Sequence, residues 1–117
     1  MKKMIVPVLL FVCLALISLA YAHPPKDIEI TYDSNTKILT ATIIHDISNP
    51  LGHYIKKVDI GLNDADNEII QQNFSRQENN NFQKVSYYIP DIKAGDIISV
   101  EGYCSISGKL EKEITVK

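Results

Sequence analysis

Four side chains of this sequence carry the chemistry of metal ligands or nucleophiles: His23, His45, His53 and Cys104. They include all 3 histidines of the chain. His45 and His53 flank the segment Asp46 to Gly52, so each stands at the end of a predicted strand and the two are able to converge at one edge of the fold. Imidazole nitrogen together with thiolate suits iron, copper or zinc, and coordination would shield a thiol that has no partner. The spacing itself matches no general zinc pattern. It leaves open a second reading, in which the histidines are surface residues and Cys104 is a small buried hydrophobe.

Other chemistries find less support. No serine lies in a G-x-S-x-G elbow and no glycine-rich loop could cradle a phosphate. The acidic residues are scattered over turns and strand exteriors, which argues against a paired-carboxylate site. A Cys–His nucleophile pair would need a cleft that so short a chain barely provides. The Lys56-Lys57 pair reads as a solvated edge, and Asn73-Phe74-Ser75 is a glycosylation sequon that acts only in a eukaryotic source.

The compartment follows from the start of the chain. Lys2 and Lys3 precede an apolar run from Met4 to Leu19, and Ala20-Tyr21-Ala22 has the small-x-small form of a signal-peptidase site. Residues 1–22 therefore read as a secretory signal, with the mature protein beginning at His23 and destined for the periplasm or the outside of the cell. The competing reading is an uncleaved membrane anchor, the one contact with a membrane that the sequence suggests. Cleavage would remove two of the 12 basic residues and none of the 14 acidic ones, leaving a charge of −4. No basic stripe is present to neutralise phosphates, so nucleic acid is not an expected partner. Cleavage would also remove Cys13, leaving Cys104 alone in an oxidising compartment: buried, bound to a metal, or paired with another chain.

The remainder of the chain must position these groups, and it reads as strands. Alternation or β-branched content marks Asp27–Tyr32, Lys37–His45, His53–Leu62, Glu68–Phe74, Phe82–Ile89, Ile97–Cys104 and Leu110–Val116. Between them lie turn-forming segments such as Asp33-Ser34-Asn35-Thr36, Asn49-Pro50 with Gly52, Pro90-Asp91, Gly95-Asp96 and Ser107-Gly108. Leu39, Ala41, Ile43 and His45 share one parity, as do Ile98, Val100 and Cys104, which turns His45 and Cys104 toward the apolar side. In the third strand the alternation assigns Tyr54, Val58, Ile60 and Leu62 to one face. Ser75 to Asn81, with three successive asparagines, reads as a polar loop that cannot serve a core. Seven short strands with no sustained helical period predict one all-β domain over residues 23–117, an immunoglobulin-like sandwich of antiparallel strands. Such a fold hosts many functions and decides none.

The segment His45 to Leu62, with its loop proline and His53-Tyr54-Ile55, resembles the core of the superoxide reductase family, the iron-binding domain of desulfoferrodoxin and neelaredoxin. Gly95-Asp96 through Tyr103-Cys104 to Gly108 is similar to the family's later segment, and His23-Pro24-Pro25 with Ile28 to the opening of its first strand. The matches fall in family order and span nearly all of residues 23–117. The resemblance implies an immunoglobulin-like sandwich and a mononuclear iron with four equatorial histidines and an axial thiolate. It implies an oxidoreductase that needs an electron-donor protein. By position His23, His45 and His53 correspond to three of the histidines and Cys104 to the thiolate.

Three departures accompany the resemblance. Ser107 stands where the family has its fourth histidine. The loop between His45 and His53 is longer, and the family's Glu-Lys pair has no counterpart. As an expectation, the free α-amine that cleavage would give His23 could supply the missing donor. Two functions therefore stay open: a redox metalloprotein of the superoxide reductase type, and a non-catalytic exported sandwich acting as a carrier of copper, zinc or iron or as a protein-binding module.

Overall fold

A computed structural model describes residues 23–117. The segment read from sequence as a secretory signal, its expected cleavage site and the anchor alternative lie outside the described residues. The seven strands run in the order β1 (Asp27–Asp33), β2 (Ile38–Ile44), β3 (Ile55–Leu62), β4 (Glu68–Asn73), β5 (Phe82–Tyr88), β6 (Ile97–Cys104) and β7 (Lys109–Thr115). All pairings are antiparallel. One sheet has three strands ordered β1-β2-β5 and the other four, ordered β4-β3-β6-β7. The chain crosses between sheets at β2 to β3, β4 to β5 and β5 to β6, which makes an immunoglobulin-like sandwich.

Local chemistry explains the hairpins. Asp33 opens the first turn: its carboxylate accepts the Asn35 N–H at 2.8 Å and its carbonyl accepts the Lys37 N–H at 2.7 Å. Asp64 does the same for Asp66 in the β3–β4 turn. Alternation then sends one face of each strand inward. Ile28, Leu39, Ala41, Ile43 and Val85 from the first sheet meet Ile55, Val58, Ile60, Ile98 and Val100 from the second. Ile89, Ile92 and Val116 close the core at the end away from the histidines. The sheets come close at Gly102, where a Cβ would lie 3.0 Å from the Ile43 side chain.

Two β-bulges alter the third strand. The β3–β6 register shifts between Ile55 and Lys57, and the β3–β4 register between Ile60 and Gly61. A bulge adds one residue and so exchanges the faces beyond it. Ile55 is therefore fully buried while Tyr54 is only partly so, the reverse of the alternation read from sequence. The Lys56-Lys57 pair is likewise not at an edge, because β3 is an inner strand of its sheet. Lys57 lies over the Tyr103 ring, 4.2 Å from its centroid, and 3.4 Å from the Asp59 carboxylate.

A further correction concerns the Ser75–Asn81 loop. Its Gln77 side chain has no solvent exposure at all, so this polar segment does reach the interior.

Candidate metal centre

The end of β2, the start of β3 and the residues before β1 meet at one end of the sandwich. His45 follows the last residue of β2 and continues its inward parity, which leaves it 0% exposed. His53 closes the tight turn after Asn49-Pro50, its N–H donating to the Asn49 carbonyl at 2.9 Å. His23 is brought in by the segment leading into β1, where the Lys26 N–H pairs with the Ile44 carbonyl at 2.7 Å. Neighbouring backbone bonds tie the loop down: His45 N–H to Asn81 and Ile47 N–H to Asn80, each at 2.8 Å.

The three rings pack around a common point. Their centroids are 4.8 Å apart for His23–His45, 4.9 Å for His23–His53 and 4.7 Å for His45–His53, with all pairs tilted or edge-on. One nitrogen from each lies within 4.8 Å of the others. This is the only group of metal-ligating side chains of that compactness among the described residues. Zinc–imidazole bonds are about 2.0–2.1 Å, so the nitrogens need only a modest further approach to share one ion.

Hydrogen bonding shows how the nitrogens of each ring are engaged. His45 Nδ1 lies 2.8 Å from Gln77 Oε1, and its Nε2 lies 3.2 Å from the His23 carbonyl oxygen. Both partners are acceptors, and a neutral imidazole has one proton to donate. A neutral ring therefore donates to one of the two, and its other nitrogen sets a lone pair against an oxygen. His23 Nδ1 is 3.1 Å from the Pro24 carbonyl, which leaves its Nε2 free. His53 Nε2 is buried and has no hydrogen-bond partner among the described residues. An unpaired buried nitrogen costs free energy, and a cation is one way of satisfying it.

The electrostatics agree. His53 is held below the ordinary histidine pKa of 6.5, first by burial and then by the neighbouring His45 and His23. The neutral imidazole required of a metal ligand is thereby favoured. An open pocket of about 350 Å³ lies over His23 and His53, bordered also by Asp46, Ile47 and Ser48, so small molecules have a path to the rings.

Cys104 is not part of the three-histidine group. It ends β6 directly across from Ile55, is 2% exposed, and its Sγ accepts the Ile106 N–H at 3.4 Å. The thiol forms no disulfide among the described residues. Ser107 is exposed. Its neighbour Ser105 joins the site's frame instead, exchanging hydrogen bonds with Tyr54 at 2.8 and 3.1 Å.

Sequence reasoning missed Gln77. A glutamine in a run of polar loop residues carries no pattern that marks it as buried, and only its place opposite His45 does so. No protein-family model, no curated protein and no solved structure matches this chain.

Proposed function

We propose that this chain is an exported metal-binding protein in which His23, His45 and His53 hold one transition-metal ion. The observation that carries the reading is the convergence of three imidazoles, one of them with a buried nitrogen that no group among the described residues satisfies. Residues of this kind fit iron, copper or zinc. The resemblance to superoxide reductase favours iron, with Cys104 as a thiolate ligand and a separate protein as electron donor. In that reading the bound ion supplies one-electron chemistry to a small molecule entering the open pocket. The chain's own residues favour the neutral form of His53 through burial, orient the imidazoles and keep the approach open above His23 and His53.

A second reading, a carrier of copper or zinc without redox activity, is favoured by two observations. Cys104 lies outside the histidine group, and an exposed serine occupies position 107.

The deciding experiment is metal content of protein purified without chelator, followed by anaerobic addition of ferrous iron. One iron per chain with a thiolate charge-transfer band on oxidation supports the iron reading. One zinc or copper supports the carrier. Failure to bind any of the three stoichiometrically overturns both.

A further inference from the structure

Gln77 contacts three parts of the site at once. It is 0% exposed, and its side-chain amide makes four hydrogen bonds. The nitrogen donates to the carbonyls of His45 at 2.8 Å and Asn79 at 2.9 Å. The oxygen accepts the Ile55 N–H at 3.2 Å and faces His45 Nδ1 at 2.8 Å. This orientation is forced, since turning the amide over would set its oxygen against two carbonyls and its nitrogen against a backbone N–H. Nδ1 of His45 must then carry a proton.

We propose that Gln77 is the positioning residue of the metal centre, locking His45 in the Nδ1–H form so that Nε2, which faces the His23 carbonyl oxygen at 3.2 Å, carries the lone pair that an ion needs. The inference rests on the metal-binding reading above and adds to it the residue that prepares a ligand. Outer partners that fix the ring and tautomer of a ligating histidine affect metal affinity strongly. Here the partner is a neutral amide, and it also anchors the start of β3, two residues beyond His53. One side chain therefore sets the separation between two ligand-bearing elements.

The test uses the whole protein, two variants and two readouts. Long-range proton–nitrogen NMR of the imidazoles, without metal and well above the ordinary histidine pKa, should show His45 as Nδ1–H in the wild type. In Gln77→Leu that preference should be lost and zinc affinity should fall about 10- to 100-fold. Gln77→Glu keeps an acceptor for Nδ1–H but sets its second oxygen against the His45 and Asn79 carbonyls. It should lower the stability of the metal-free protein while keeping the Nδ1–H form and zinc affinity within a few-fold of wild type. A purely structural Gln77 would make affinity follow stability in both variants, and that result overturns the proposal. So does a wild-type His45 found as Nε2–H. Should Gln77→Leu fail to fold, Gln77→Glu still decides, because loss of its zinc affinity counts against the positioning role. Wild-type protein that shows the Nδ1–H form yet binds no zinc supports the orientation and overturns the metal reading.

Discussion

Gly108 is packed directly against Pro24: a Cβ at position 108 would lie 2.9 Å from the Pro24 Cβ and 3.2 Å from its N and Cα. Gly108 also holds φ at +86°, a backbone conformation that side chains disfavour. Its carbonyl accepts the Cys104 N–H at 2.9 Å. The β6–β7 turn is thus the surface on which the segment carrying His23 rests. Gly108→Ala should push Pro24 away and strain the turn, costing about 1–3 kcal/mol of stability. His23 should be displaced with Pro24, so zinc affinity should fall more than the loss of stability alone accounts for. Chemical denaturation alongside zinc titration checks this; unchanged affinity in a destabilised variant would show that His23 is not held from that side.

His45 and His53 should separate on stability and coincide on metal. His45 is fully buried and bonded to Gln77, so His45→Ala removes a packed ring and leaves Gln77 with one partner fewer, at about 2–4 kcal/mol. His53 is only partly buried and its Nε2 has no partner, so His53→Ala should cost under about 1 kcal/mol. Both variants should lose stoichiometric zinc binding. Thermal or urea unfolding without metal, followed by dialysis against zinc, measures the two effects independently.

Acid should destabilise the metal-free protein through His53. Burial and the adjacent histidines hold its folded pKa below the ordinary 6.5. Above that value both folded and unfolded states keep the ring neutral and its contribution is complete. As pH falls below 6.5 the unfolded chain takes up the proton first, so stability declines until the folded state also protonates. His53→Asn should flatten that part of the profile. The check is the urea midpoint against pH in both proteins, and parallel curves would exclude His53 as the source.

The frame of this site was legible in the sequence, while its fine adjustment was not. Strand content is a matter of repeated local signals, and β2 and β6 keep their parity to the last residue, so the inward placement of His45 and Cys104 is readable from alternation. The β3 bulge breaks the rule on which such reasoning depends. Nothing between His53 and Val58 announces an extra residue, so plain alternation points Tyr54 rather than Ile55 into the core. Gln77 is a harder case, since its burial follows from long-range hydrogen bonding with His45 and Ile55 and not from its neighbours in sequence. Cys104 stands between these cases: its burial was readable, but its place outside the compact histidine group was not.

Cys104→Ser tests whether the thiol belongs to the centre. The sulfur is buried and has one hydrogen bond, from the Ile106 N–H, which a serine oxygen also accepts. Exchanging sulfur for a hydroxyl in apolar surroundings should cost about 1–3 kcal/mol and leave the sandwich folded. The three imidazoles are untouched, so zinc should still bind at one ion per chain. With ferric iron the variant should lack the thiolate-to-metal charge-transfer band of the wild type, as only a sulfur ligand produces it. Persistence of the band would remove Cys104 from the site. Its absence from both proteins, with zinc bound by both, would identify a three-histidine centre with a structural cysteine behind it.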